Sequence, residues 1–171
     1  ILYMYSDNKD SAIIELLKAK GEVDECSILS YKYKFDCDNQ SDYKKYDYIV
    51  GIDIIEECEI VSELLEYCYK HLKQGGKLLI GAENRYGIKY ICGDRDPYTN
   101  HSFDGIENYR RITDADMNDI KGRCYSKVEL DNMLSAAGFN NKFYSVMPSL
   151  EETQLVYSED YTPVEELSMR Y

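Results

Sequence analysis

The sequence predicts an α/β protein whose sheet is mostly parallel and carries helices on both faces. Three observations point there. Apolar runs of strand length alternate with stretches of helical period along most of the chain. The run YDYIVGIDII at 46–55 is almost continuously apolar, as in a strand buried on both faces. From there the chain reads strand, helix, glycine turn and strand, a βαβ unit whose right-handed crossover makes the two strands parallel.

The opening ILYMYS at 1–6 reads as a first strand that ends at Asp7-Asn8. Residues 11–20 place Ile13, Ile14, Leu16 and Leu17 on one face and stop at Gly21, the pattern of a helix with a glycine end. A second strand is expected at 26–29 and a further extended piece at 31–35, followed by a polar loop to Lys45. After the strand at 46–55, Ile60, Leu64, Cys68 and Leu72 recur every fourth residue, which predicts an amphipathic helix of about four turns. It closes at Gln74-Gly75-Gly76 and feeds a strand at 77–80. Residues 83–123 show neither period and read as a long polar insertion, a segment type that in compact domains is usually functional. Ser126 to Glu129 spells a capping box, with Leu130, Met133, Leu134 and Ala137 as the stripe of a helix ending at Gly138. Two late strands are expected at 142–147 and 154–157.

With 171 residues the chain suits one domain over 1–171. Its opening at Ile1 is compatible with a piece of a longer polypeptide. The 20 basic and 32 acidic residues leave a net charge of −12, a far field that repels nucleic acid and anionic membrane surfaces. No apolar run approaches the roughly 18 residues of a membrane span, and none has the composition of a signal peptide. The six cysteines lie at irregular spacings without a CxxC pair, so no metal site is expected and reduced thiols in a cytoplasmic protein are. The 18 tyrosines, with no tryptophan, suit core edges and ligand stacking.

Ligands of such sheets sit beyond the carboxyl ends of the strands. That places Asp53 and the run Glu83-Asn84-Arg85 in candidate positions: an acid, an amide and a base in succession at a strand end fit a site, or an ion-pair network that pins the insertion. Glu56, near Asp53, is a candidate as well, or a helix-start acid. Asp104 and Glu107 flank Gly105, a turn able to aim both carboxylates into a cleft, where one could take the proton of an acceptor hydroxyl. His101 is a candidate base by type, and His71 reads as a helix-dipole partner.

From Tyr46 onward the chain resembles a class I S-adenosylmethionine-dependent methyltransferase of Rossmann-like fold, through YDYIVGIDIIEE, LKQGGKLLIG, YSKVEL and AAGF. ENRYGIKY at 83–90, FDGIENY at 103–109, YSKVELDNMLSAAGF at 125–139 and VYSEDYTP at 156–163 narrow the resemblance. They are similar, in order and spacing, to methyltransferase-like domains encoded with glycosyltransferases in bacterial surface-polysaccharide pathways. The resemblance implies S-adenosylmethionine as cofactor, held by Ser6, Asp7, Asp53 and Ile54. It implies Glu83, Asn84, His101 and Asp104 as catalytic residues, and Arg85, Tyr86, Glu107 and Tyr109 facing a small-molecule or glycan acceptor. A glycosyltransferase is the partner it suggests. The first third departs from the family: the first strand runs into SDNKDS at 6–11 in place of a glycine-rich loop, and the second offers Ser30 and Tyr31 where an acid should bind ribose. Tyr98 also stands where the family's motif carries histidine. The fold is therefore expected to be trimmed in its N-terminal third, and a degenerate domain that binds carbohydrate or protein without catalysis is the alternative expectation.

Overall fold

The computed structural model describes residues 1–6, 10–28, 44–112, 120–150 and 152–160. Two compact units divide the chain, Ile1–Gly138 and Phe139–Tyr171. In the first, β1 (Leu2–Tyr5) leads through α1 (Ser11–Lys18) to β2 (Asp24–Ser27), and β3 (Tyr46–Ile52) leads through α2 (Val61–His71) to β4 (Leu72–Gly81). The strands form one sheet in the order β2-β1-β3-β4, and every pairing is parallel. The expected α/β class and the βαβ unit are both present. The extended piece expected at 31–35 lies outside the described residues.

Local chemistry explains most of the boundaries. The Asp10 carboxylate caps α1 by accepting from the amides of Ala12 and Ile13 at 2.8 and 3.3 Å. Helix α2 turns Leu64, Leu65 and Cys68 into the core, and the Cys68 sulfur lies 3.7 Å from that of Met4 on β1. Each of the two leucines, fully buried, contributes about 1.5–3 kcal/mol. At the end of α2 the buried His71 ring stacks on Tyr67 at 3.9 Å and a ring nitrogen meets the Tyr67 carbonyl at 2.9 Å, a role consistent with the expected dipole partner.

The structure corrects the expectation for 46–55 in two ways. Strand β3 stops at Ile52 because Asp53 adopts a left-handed conformation, φ 56°, and Ile54 and Ile55 are buried in the turn that follows. The strand is also not buried on both faces: Ile49 is sealed, whereas Tyr48 and, on β4, Leu79 are exposed. Gly51 is where the turn folds back on its own strand, since a Cβ there would come within 2.2 Å of Ile54 Cδ1. Strand β4 begins at Leu72, five residues before the expected start. Gly76 permits this, because a Cβ at that position would crowd the Tyr46 and Asp47 carbonyls at 3.0 and 3.1 Å. Among the described residues of the insertion lies a short helical turn, α3 (Ile88–Ile91), that the sequence period does not reveal.

Helix α4 (Lys127–Ala136) opens on the expected capping box, with Ser126 and Glu129 bonding each other's backbone amides. The second unit holds an antiparallel hairpin of β5 (Tyr144–Met147) and β6 (Leu155–Ser158), close to the two late strands expected. Cys58, Cys68, Cys92 and Cys124 are free, but Cys26 is disulfide-bonded, which departs from the expected set of reduced thiols. No helix among the described residues is long and apolar enough to cross a membrane.

Candidate functional site

The strand order reverses direction between β1 and β3: β1 continues outward to β2, and β3 outward to β4. A crevice opens at such a switch point beyond the carboxyl ends of the two strands. Ser6 follows β1, and its carbonyl accepts from Ser27 Oγ at 3.5 Å. Asp53 follows β3, exposed, with its amide donating to the Gly81 carbonyl at 2.9 Å. These two lips share adjacent strands. Ile54 has no exposed surface and packs in the core beside Gly51, and Asp7 lies outside the described residues.

Glu56 is the group whose setting the sequence conceals. Its side chain is fully buried, with Oε1 accepting from the Glu83 amide at 2.6 Å and Oε2 left without a partner. Burial pushes its carboxyl up to about 8, the Glu83 amide opposes this, and the charges of Asp53 and Glu83 add to it. Glu56 is therefore largely a neutral acid at pH 7. Its carbonyl also accepts from the Arg123 amide at 3.0 Å, so one residue joins the end of β3 to both ends of the insertion.

Around Glu56 the insertion is built from buried polar groups. Glu83 Oε2 accepts from the Tyr90 hydroxyl at 3.1 Å and pairs with Lys89 at 2.9 Å. The Cys124 thiol lies 4.0 Å from the same hydroxyl and is pushed up to about 12, first by burial and then by the charge of Asp96. Buried Asp96 acts as a hub: Oδ1 accepts from the amides of Tyr98 and Thr99, and Oδ2 accepts from the Tyr109 hydroxyl at 2.8 Å. Tyr109 in turn accepts from the Cys124 amide at 2.7 Å. Burial raises the phenols of Tyr90, Tyr98 and Tyr109 well above their ordinary value.

A second knot closes the insertion onto α4. The Arg85 amide donates to the Tyr125 carbonyl at 3.0 Å, and its buried guanidinium donates through Nη1 to Asn108 Oδ1 at 2.5 Å. Arg85 Nε lies 3.3 Å from Glu129 Oε2 in an ion-pair contact without a hydrogen bond. Burial raises the Glu129 carboxyl, but hydrogen bonds from Ser126 and the charges of Arg85 and Arg123 outweigh it and hold the group low.

The remaining candidates divide by exposure. Asn84 and Tyr86 are exposed, with Asn84 Oδ1 turned to the Tyr86 amide at 3.0 Å. His101 is exposed, and its Nδ1 stands 3.7 Å from the buried Asp104 carboxylate. Glu107 pairs with Arg111 at 2.5 Å and Arg110 at 3.8 Å. Of the twelve nominated positions, Arg85, Asp104, Tyr109 and Ile54 are buried, while Asp53, Asn84, Tyr86 and His101 face solvent. Sequence reasoning did not pick out Asp96, Asn108 and Arg123, and read Glu129 only as part of a capping box; Asp96-Pro97 is a turn signal, but Arg123 meets Asn108, and Glu129 meets Arg85, only across long separations in sequence. Among the described residues no group of three or more His, Cys, Asp or Glu side chains could hold a metal ion.

No protein-family model matches the sequence, and no curated protein does. Among solved structures, the chain is similar to a crystal structure from Thermotoga maritima of a SAM-dependent methyltransferase described as a possible histamine N-methyltransferase. The two share 16% identity over 94% of this chain and 67% of that one, with a TM-score of 0.47.

Proposed function

We propose that the crevice between β1 and β3 binds S-adenosylmethionine and that the chain transfers the methyl group to a small acceptor, a sugar or a surface-polysaccharide intermediate. The observation that carries this reading is the switch point itself, with Ser6 and Asp53 on its two lips. Asp53 offers an exposed carboxylate for the hydroxyls or amine of a nucleoside, and the motif resemblance from Tyr46 onward supplies the choice of nucleoside. The cofactor would supply an electrophilic methyl carbon. The acceptor oxygen or nitrogen would attack it in line, and the acceptor's proton would pass to a base. By residue type, His101 beside Asp104 is the proposed base, with Glu83 and Asn84 oriented toward the acceptor. Arg85, Tyr86, Glu107 and Tyr109 are proposed to frame the acceptor side, and a glycosyltransferase is the proposed partner.

One observation favours a second reading, a recognition module without cofactor: Arg85, Asp104 and Tyr109, nominated for ligand work, are buried in the insertion. Calorimetric titration with S-adenosylmethionine and S-adenosylhomocysteine separates the two. Micromolar binding that is lost in Asp53→Ala is the expected result. An absence of heat at millimolar ligand would overturn the cofactor reading and leave the module.

A further inference from the structure

Arg85 and Arg123 converge on one neutral acceptor. Asn108 Oδ1 accepts from Arg85 Nη1 at 2.5 Å and from Arg123 Nη2 at 2.8 Å. Glu129 is the carboxylate between them, 3.3 Å from Arg85 Nε and 3.6 Å from Arg123 Nη2, and it already accepts from the Ser126 amide and hydroxyl at 2.7 Å. Two guanidinium charges thus face one carboxylate and one amide. The Nε donors of both arginines are buried and make no hydrogen bond, that of Arg85 having only the ion-pair contact with Glu129, and Arg85 as a whole is only 8% exposed. A buried, charge-bearing donor without an acceptor is costly in a structural knot, and it suits a site whose acceptor arrives from outside.

We propose that the Arg85–Arg123 pair binds the phosphoryl group of a ligand, with Asn108 Oδ1 holding the place that one phosphoryl oxygen takes. Planar guanidinium forks match the geometry of phosphate oxygens, and two of them beside a single carboxylate leave one positive charge for a dianion. Asn108 is the member free to yield. All three backbones are held, Asn108 to Gly105, Arg85 to Tyr125 and Arg123 to Glu56, but Asn108 alone is exposed, on a turn in left-handed conformation, φ 58°, so its side chain can swing aside. The rings of Tyr109 and Tyr125 lie 5.3 and 4.9 Å from the Arg123 guanidinium and hold it in position. A phosphorylated sugar is an acceptor this site would suit, which deepens the proposed function, but the site does not rest on the cofactor half of that reading.

The test is thermal unfolding of the whole chain in inorganic phosphate, compared with sodium chloride and sodium acetate at equal ionic strength, for the wild type and Asn108→Asp. Aspartate tolerates the left-handed backbone and places a carboxylate between the arginines permanently. The wild-type midpoint is expected to rise with phosphate and not with chloride or acetate. Asn108→Asp is expected to melt no lower than the wild type and to lose the phosphate response. A wild type indifferent to phosphate, an equal response to acetate, or an Asn108→Asp chain that still responds as the wild type does would overturn the proposal. A failed S-adenosylmethionine titration leaves all of these outcomes readable.

Discussion

Asp53 and Arg85 each stand just past the end of a parallel strand, on neighbours in the same sheet, yet one faces water and the other is buried. At the switch point the chain presents its polar groups outward from a strained turn. In the insertion, Arg85, Asp96 and Asp104 are all buried, and the bonds of Arg85 to Asn108 and of Asp96 to Tyr109 tie separate parts of it together. The difference teaches that a cluster of charged residues at a strand end has two destinations. Where the chain moves away, the cluster stays open to water, and where the chain returns over it, the cluster becomes the core of what returns.

Substitutions sharpen this contrast. The largest effect is expected from Arg85→Ala, which removes a buried guanidinium from Asn108 and Glu129 while Arg123 still reaches both. Losing the charge-assisted hydrogen bond together with the buried arginine stem costs about 3–4 kcal/mol, read as a lowered midpoint in denaturant. Next is Glu56→Gln. The native carboxyl titrates near 8 against an ordinary 4.5, so between these values the native state holds more protons than the unfolded state. Wild-type stability should fall as pH rises from about 4.5 to 8 and then level off. Glutamine keeps the acceptor for the Glu83 amide and cannot ionise, so the variant should lose this slope and gain roughly 2–4 kcal/mol over the wild type at pH 9. A wild type with flat stability across that range would refute the neutral, buried Glu56. The smallest change belongs to the cleft: Asp53→Gly relieves the positive φ and should shift stability by less than about 1 kcal/mol while abolishing S-adenosylmethionine binding. If Asp53→Gly destabilised the chain as Arg85→Ala does, the contrast between the two regions would collapse.

The layout of strands and helices was legible because it rests on local signals. The four-residue period of Leu64 and Cys68, the Ser126–Glu129 capping box and the run at 46–52 are each written within a few neighbouring residues. The end of β3 was not, because Ile54 and Ile55 extend the apolar run while the backbone has already turned at Asp53. The early start of β4 was also hidden, since Gly75 and Gly76 read as a turn and in fact allow close approach to β3. In the candidate site, the polar segment was visible but not what its residues bond to. Arg85 finds Asn108 and Glu129 only after the chain has gone out and come back, and Glu56 reaches Glu83 from another strand end. Residue type singled out Glu83 and Arg85, and the resemblance Tyr109; only the fold shows what each one holds.

The close fit of Ile54 over Gly51 bears on any saturation screen of this chain. Every side chain placed at Gly51 meets the isoleucine, so all replacements there should score as losses in an assay that reads signal from live cells. Because the position sits two residues before Asp53, such a profile would look like that of a ligand-binding residue. Pairing Gly51→Ala with Ile54→Val or Ile54→Ala would tell them apart: a packing conflict is relieved by trimming the neighbour, and a lost contact to a ligand is not.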